Sequence, residues 1–295
     1  MNQNHLLLEN IEKMNFLLND FLVKKHIEYA LLEDIGYGDI STDFIADDNK
    51  ILNIELKTRA DGIICGLGVF KMVFQVLNPE VQVEFFFKDG DKIKAGDVIA
   101  KIQGSQRSIL TGERLALNYI QKMSGISTYT NLFVEKIKNY KAKIVDTRKN
   151  TPCFRMFEKY AIKVGGATLH RFNLSDCVML KDNHIAACGS ISAAVKKVRD
   201  NISHAHKIEI ECDTKEQVKE ALEAGADIIM LDNMSLDDMR YCVELIAGRA
   251  IVEASGGVTL DRIADIASCG VDIISSGALC NKAQTLDLAF DYIEC

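Results

Sequence analysis

The sequence lacks the features that mark exported and membrane proteins. No apolar run approaches the roughly 20 residues of a membrane-spanning helix, and residues 1–5 carry neither the charged nor the apolar region of a signal peptide. The nine cysteines are odd in number and include no C-x-x-C pair, which argues against a disulfide framework or a zinc site. We therefore expect a soluble cytoplasmic protein with reduced thiols.

Excess positive charge is also missing. The formal net charge is -7 and the isoelectric point is near 5.5, which argues against a nucleic-acid-binding surface. With 295 residues, of which 48% are apolar, the chain can form one large barrel or two unequal domains.

The first part of the chain predicts a small α+β domain. Apolar residues recur with helical spacing over 6–34, and alternation over 51–104 predicts a small, mostly antiparallel sheet. A helix over 68–77 ends before Pro79. Two further helices are predicted over 106–123 and 128–140.

The second part alternates strands and helices, which predicts parallel strands joined by right-handed crossovers. About six such units fit, fewer than the eight of a complete TIM barrel. We expect an α/β fold in which an incomplete parallel α/β barrel spans 127–279. The smaller domain spans 1–126, and 280–295 could join it. The strand-like runs are 144–145, 178–180, 208–210, 228–231, 250–252 and 273–274.

Polar residues follow these runs, at the carboxyl ends where α/β folds bind ligands. Four cations stand out, and with His170 they form a receptacle for several negative charges, since buried Lys and Arg need partners. The candidates are Arg148, Lys149, Arg171, Lys181, Glu211, Asp232, Ser255-Gly256-Gly257 and Ser275-Ser276-Gly277. Plainer interpretations are a loop role for His170 and a capping role for Asn183-His184.

The two carboxylates and the glycine turns suit a sugar phosphate. Glu211 and Asp232 could hold Mg²⁺ through its waters or bind ribose hydroxyls, and one of them could instead pair with Lys181 or Arg171 and neutralise the pocket. The backbone of 255–257, before a helix that Thr259 can cap, is suited to bind a phosphate, with Gly277 completing the site.

Several motifs together resemble one family. They are Asp146-Thr147-Arg148-Lys149-Asn150-Thr151-Pro152, Glu158-Lys159-Tyr160-Ala161, Gly165-Gly166, His170-Arg171, Lys181-Asp182-Asn183-His184 and Glu253-Ala254-Ser255-Gly256-Gly257. With Glu33-Asp34, Gly36, Gly38-Asp39, Gly112-Glu113-Arg114 and Ser124-Gly125-Ile126, they are similar, in order, to quinolinate phosphoribosyltransferase, the carboxylating nicotinate-nucleotide pyrophosphorylase.

The resemblance implies a type II phosphoribosyltransferase fold and a dimer or hexamer. In it, one subunit's helical domain covers its partner's barrel, and Arg114 reaches the partner's site. Without the resemblance, Arg114 is better explained as an exposed helix charge paired with an acid. The implied substrates are quinolinate and phosphoribosyl pyrophosphate, with Mg²⁺ as cofactor.

The resemblance also implies residue roles. Lys149, Glu211 and Asp232 would be catalytic, and Arg148, His170, Arg171 and Lys181 would bind substrate. Ser255, Gly256, Gly257, Ser276 and Gly277 would hold phosphate. Three departures, Cys153-Phe154 for Gly-Leu, Leu169 for Asn and Ser276 for Val, remove no charged group and predict altered loop packing only.

Three other interpretations compete with this one. A ModD-like, molybdenum-associated homologue shares the fold but lacks the Lys-Asp-Asn-His motif, which is complete at Lys181. A binding protein on the same scaffold would show no turnover. The run 89–99 is similar to half of a biotinyl or lipoyl carrier, but the nearby Lys122 lies in a helical pattern and not on a hairpin tip.

Overall fold

The protein divides into two compact units in a computed structural model that describes residues 17–47 and 50–293. The first unit comprises the described parts of Met1–Tyr129, Pro152–Gly165 and Ala283–Cys295, and the second comprises Thr130–Thr151 and Gly166–Lys282. Residues 152–165, counted with the barrel in the sequence analysis, belong by their contacts to the first unit. The predicted apolar positions before residue 17 lie outside the described residues.

The first unit is built on a four-stranded antiparallel sheet. Its helices are α1 (Asp20–Ile35), α2 (Thr42–Ile45), α3 (Leu67–Leu77), α4 (Gln106–Ile137), which continues into the second unit after Tyr129, and α5 (Arg155–Val164). Its strands are β1 (Ile51–Thr58), β2 (Gly62–Ile63), β3 (Gln82–Phe85), β4 (Lys92–Ile93), β5 (Val98–Ser105) and β12 (Leu288–Tyr292). The four strands of the sheet lie in the order β12-β1-β5-β3. Strand β12, near the end of the chain, pairs with β1, with Ile54 opposite Tyr292.

Alternating apolar residues build the core of this unit. Ile54 and Leu56 on β1 are completely buried, as the period of a strand requires. Phe70 and Phe74, one helical turn apart on α3, are also completely buried, and their rings meet edge to face with centroids 5.3 Å apart.

The second unit contains the predicted six-stranded parallel sheet. Its strands are β6 (Lys143–Val145), β7 (Val178–Leu180), β8 (Ile208–Cys212), β9 (Ile228–Asp232), β10 (Ile251–Ser255) and β11 (Ile273–Ser275). They lie in the order β6-β11-β10-β9-β8-β7. Its helices are α6 (Asp182–Cys188), α7 (Ile191–Arg199), α8 (Lys215–Glu223), α9 (Leu236–Ile246), α10 (Ile263–Ser268) and α11 (Ala278–Asn281).

Side-chain caps place the starts of two barrel helices where the sequence predicts them. Thr214 and Gln217 form the predicted capping box at the start of α8. The Ser235 hydroxyl accepts from the backbone N–H of Asp238 at the start of α9. Each cap fixes the residue at which the loop after a barrel strand ends and the next helix begins. The end of the preceding strand is therefore held in place.

The prediction of two helices between residues 106 and 140 is wrong, because α4 runs without a break from Gln106 to Ile137. Gly125 in its middle does not interrupt the helix. A Cβ atom at that position would lie 1.9 Å from the carbonyl oxygen of Gln284, so glycine is needed for backbone to approach. Lys122 lies within this helix, which removes the carrier-domain interpretation.

None of the helices formed by residues 17–47 and 50–293 combines the length and the apolar character that crossing a membrane requires. None of the eight cysteines in these ranges forms a disulfide, and five of them are buried.

Candidate active site

A cavity of about 390 Å³ lies at the carboxyl ends of the barrel strands. Many of the predicted site residues line it: Arg148, Lys149, His170, Arg171, Lys181, Glu211, Asp232 and Ser255. Thr147, Met179, Met230 and Ser275 complete the lining. The strand-end residues that the sequence predicts to converge therefore do so.

Strand register explains this convergence. Asp232, the last residue of β9, lies opposite Ser255, the last residue of β10. Ser275, the last residue of β11, lies opposite Val145, the last residue of β6, after which the chain continues to Arg148 and Lys149. Since the strands are parallel, all of these ends reach the same edge of the sheet.

Lys181 and Glu211 form an ion pair inside the cavity. They extend from neighbouring strands β7 and β8, and the Lys181 side chain remains 45% exposed. The interpretation in which one carboxylate neutralises Lys181 therefore describes this arrangement. An incoming carboxylate can exchange with Glu211, because solvent reaches the ammonium group.

Arg171 is held by contacts on both its side chain and its backbone. Its Nη1 donates to the Cys177 carbonyl at 2.8 Å, and its Nη2 lies 3.5 Å from the Met179 sulfur. Its backbone nitrogen lies 2.7 Å from Nδ1 of His170 and donates to it when the ring is neutral. The His170 N–H in turn donates to Oδ1 of the buried Asp146 at 2.8 Å. The His-Arg pair is thus fixed in orientation before any ligand binds.

His170 faces two buried carboxylates. Its Nε2 lies 3.4 Å from Oε2 of Glu209 and 3.4 Å from Oε1 of Glu253. Burial alone would lower the pKa of His170, but its pairing with Glu209 and Glu253 outweighs that effect and raises the pKa to about 10. Burial raises the pKa of Glu209, and the charge of Glu253 adds to this.

Within the described residues, His170, Glu209 and Glu253 are the one cluster whose ligand atoms are close enough together for a metal ion. The donor set fits a metal poorly in this arrangement, because Nδ1 accepts the Arg171 N–H and the proton of a neutral ring then sits on Nε2. A metal ligand needs a free lone pair at Nε2.

The residues one layer deeper in the barrel were not predicted to belong to the site. They are Met179, Glu209, Met230 and Glu253. Each lies two residues before a predicted strand-end residue. Side chains two apart on a strand point to the same side, so this spacing was the available signal. Met179 and Met230 give the cavity an apolar floor.

The predicted phosphate loops are only partly at the cavity. Gly256, Gly257, Ser276 and Gly277 do not line it, although a Cβ atom on Gly277 would lie 3.1 Å from Cδ of Lys149. The prediction that Thr259 caps the following helix is wrong. Helix α10 begins at Ile263, because 259–262 form a turn in which the Thr259 carbonyl accepts from Ile263 N–H.

Arg114 and His184 lie outside the cavity lining. Arg114 is an exposed residue of α4. His184 Nδ1 accepts from the backbone N–H of Lys181 at 3.1 Å, which is the capping role that the sequence analysis left open.

Family models match both parts of the chain. The model described as "Quinolinate phosphoribosyl transferase, N-terminal domain" matches residues 39–124, and that described as "Quinolinate phosphoribosyl transferase, C-terminal domain" matches 126–291. The chain belongs to the quinolinate phosphoribosyltransferase family. The predicted resemblance is thereby confirmed.

Curated quinolinate phosphoribosyltransferase relatives align over nearly the full chain. A protein of Bacillus subtilis named probable nicotinate-nucleotide pyrophosphorylase (carboxylating) is 42% identical over 93% of this chain and 94% of its own length. An Arabidopsis thaliana relative, named nicotinate-nucleotide pyrophosphorylase (carboxylating), is 37% identical over 90% of this chain and 82% of its own length.

Solved structures of the family share the fold. NadC from Streptococcus pyogenes is 41% identical, with a TM-score of 0.89, and the match covers 94% of this chain and 99% of that one. The nicotinate-nucleotide pyrophosphorylase of Francisella tularensis has a TM-score of 0.89 at 36% identity, covering 94% and 98%. The predicted fold class is confirmed.

Proposed function

We propose that the cavity at the carboxyl ends of the barrel strands is where this quinolinate phosphoribosyltransferase joins quinolinate to phosphoribosyl pyrophosphate. The observation that carries the proposal is the collection of Arg148, Lys149, Arg171 and Lys181 around one cavity in a chain with a net charge of -7. Both substrates are anions, so they enter a site of opposite charge.

The basic residues bind the two ring carboxylates of quinolinate. Arg148 and Arg171 offer bidentate contacts to a carboxylate. Lys181 exchanges its ion pair with Glu211 for one with the second carboxylate of quinolinate. The apolar floor formed by Met179 and Met230 receives the flat face of the pyridine ring. His170 lies at the same wall and adds positive potential when it is protonated.

The carboxylates act on the sugar. The pyridine nitrogen attacks C1 of the ribose while the bond from C1 to pyrophosphate breaks, and the ribose becomes cationic on the way. Glu211 and Asp232, at the ends of neighbouring strands, stabilise this charge. Lys149 faces the departing pyrophosphate or a substrate carboxylate, and 255–257 with Ser276 and Gly277 hold the 5-phosphate.

Glu211 and Asp232 also fit Mg²⁺, because they are oxygen ligands that share one cavity with room for water. Mg²⁺ bound there, mostly through its waters, would neutralise the pyrophosphate.

Loss of CO₂ completes the reaction. Once the nitrogen is ribosylated, the ring is positively charged and accepts the electron pair that the departing carboxyl group leaves at C2. That carbon then takes a proton, which gives nicotinate mononucleotide. The ring itself is the electron sink, so no separate cofactor is needed for this step.

The functional assembly is a dimer or a larger oligomer in which Arg114 of one subunit reaches the cavity of another. Exposed apolar side chains on the first unit support a second copy of the chain as the partner. They include Tyr29 and Leu32 on α1 and Phe44 on α2, which are 75%, 68% and 86% exposed. Large exposed apolar patches commonly mark surfaces that another protein covers.

The enzyme works in the cytoplasm. None of the eight cysteines within residues 17–47 and 50–293 forms a disulfide, which supports a reducing compartment.

A turnover assay with quinolinate, phosphoribosyl pyrophosphate and Mg²⁺, read as nicotinate mononucleotide, tests the function. Nicotinic acid, which has one carboxylate, should be a poor substitute. Equal rates with the two acids would refute the dicarboxylate pocket. Binding of both substrates without product would indicate a binding protein, and no activity with either acid would favour a ModD-like role.

A further inference from the structure

Asn233 occupies an unusual backbone position next to the site. It directly follows Asp232 at the end of β9 and has a φ of 54°, in the left-handed region. Asparagine tolerates this region better than most residues, so the backbone alone could explain its presence. Its side chain, however, makes contacts that the backbone conformation does not require.

The Asn233 carboxamide contacts the Asp232 carboxylate. Its Nδ2 donates to Oδ2 of Asp232 at 2.8 Å. Adjacent residues on a strand point to opposite faces, so the left-handed turn at Asn233 is what brings the two side chains together. The hydrogen bond leaves the other Asp232 oxygen available to a ligand in the cavity.

The same side chain also fills the space over the glycine turn. A Cβ atom on Gly256 would lie 2.1 Å from Oδ1 of Asn233 and 2.8 Å from its backbone nitrogen. The Asn233 N–H donates to the Ser255 carbonyl at 3.0 Å. One residue therefore packs against both Asp232 and the 255–257 turn.

We infer that Asn233 is a positioning residue for phosphoribosyl pyrophosphate, an inference that rests on the proposed function. Asp232 interacts with the ribose, and residues 255–257 bind its 5-phosphate. The two interactions are made at two ends of one rigid sugar. Binding both at once requires a fixed separation between them. The Asn233 carboxamide sets that separation, while the pyridine substrate is bound by other residues.

Asn233→Gly separates this role from a backbone role. Glycine adopts a φ of 54° without strain, so the turn is kept and only the carboxamide is lost. We expect KM for phosphoribosyl pyrophosphate to rise roughly tenfold, as for a lost hydrogen bond to a charged group. KM for quinolinate should stay within about twofold, and Tm should not fall.

Asn233→Asp adds a readout in pH. It keeps the shape but puts a second carboxylate beside Asp232, so the donor is lost at neutral pH. Relative to the native enzyme at each pH, the defect in phosphoribosyl pyrophosphate binding should shrink as pH falls, because a protonated carboxyl group donates again.

Ala247→Gly is the matched control. Ala247 also has a positive φ, 47°, but it caps the carboxyl end of α9 and does not line the cavity. This change should relieve the same kind of strain without altering either KM.

Binding of phosphoribosyl pyrophosphate with Mg²⁺, measured by calorimetry without quinolinate, tests the inference independently of turnover. A tenfold weaker Kd in Asn233→Gly supports it even if no product forms in the native enzyme, an outcome that would refute the proposed function alone. Native affinity in Asn233→Gly would overturn the inference. So would an equal loss for both substrates with a lower Tm.

Discussion

Lys181 keeps its charge accessible to a substrate although it has an ion-pair partner. Its ammonium group pairs with Glu211, yet its side chain is 45% exposed. At this exposure the pair adds little to stability, because water screens it. A binding role therefore explains the placement of Lys181 at a strand end better than a structural role does.

We predict that Lys181→Ala raises KM for quinolinate by about tenfold or more, because a charge-assisted contact is lost. The fold should persist, with a Tm within about 2 °C of the native value. Steady-state kinetics and a thermal melt measure the two effects. Lys196→Ala, which removes a surface pair with Asp200 on α7, is the control. An unchanged KM in Lys181→Ala would remove this residue from the site.

The His170 cluster makes stability depend on pH. Because Glu209 and Glu253 raise the pKa of His170 in the folded protein to about 10, its protonation stabilises the fold fully below the unfolded value near 6.5. This contribution is lost as pH rises from 6.5 through 10. Arg171 contacts the ring of His170, and Asp146 accepts from its backbone N–H.

We predict that Glu253→Gln flattens this dependence, since one of the two carboxylates no longer favours the imidazolium ion. The free energy of unfolding should fall less between pH 6.5 and 10 in the variant, by on the order of 1 kcal/mol. Urea unfolding at both pH values, at one protein concentration, measures it. Parallel curves for the two proteins would show that Glu253 does not set the charge of His170.

Single residues also show which parts of the site could be predicted from the sequence. Lys181, Glu211 and Asp232 were predictable because each directly follows an apolar run, and strand ends converge. Glu209 and Glu253 were not predicted, because their spacing two residues before Glu211 and Ser255 indicates the side of the sheet but not that His170 lies beside them. Asn233 was missed since its role depends on the neighbouring strand, which lies 22 residues later at Ser255.

At the scale of elements, the strands were easier to predict than the breaks between helices. Parallel strands such as 228–232 are apolar runs with clear ends, whereas glycine has different meanings in different places. In the sequence, Gly125 lies at the predicted break between two helices, whereas in the structure it permits close packing within α4. The turn before α10 was taken for the helix itself, because Thr259 is a good cap in isolation.

We predict that Gly125→Ala destabilises the first unit. The added Cβ would meet the Gln284 carbonyl at 1.9 Å, and backbone cannot yield as a side chain can. We expect a loss of about 3 kcal/mol, measured by urea unfolding. Gly68→Ala, in helix α3 with no atom within 4 Å of the added Cβ, should instead stabilise by up to about 1 kcal/mol. Similar effects in the two variants would contradict the packing argument.

At the scale of the whole molecule, the charge is distributed unevenly. The chain carries -7 overall, while the barrel cavity gathers basic side chains. The net negative charge argues against a nucleic-acid partner, and the local field in the cavity favours small anions. The basic residues after the strand-like runs predicted this contrast without the family resemblance, whereas the net charge alone argued only against a nucleic-acid-binding surface.

The assembly determines whether a single chain holds a complete site. Arg114 is an exposed residue of α4 that does not line the cavity of its own barrel. Under the proposed function it serves the cavity of a partner. At a quinolinate concentration well below the raised KM, Arg114→Ala and Lys181→Ala should then each have little activity as homodimers, and each should remain folded.

Mixing the two weakly active variants at this concentration tests this sharing. A mixed dimer has one cavity with native Lys181 that receives native Arg114 from the other subunit, and one cavity that lacks both. Random exchange makes half of the dimers mixed, and half of their sites are intact, so about one quarter of native activity should return. If the two variants carry different tags and the mixed dimers are purified through both tags, about half of native activity should return. Mixed dimers without recovered activity would mean that Arg114 acts within its own subunit or not at all.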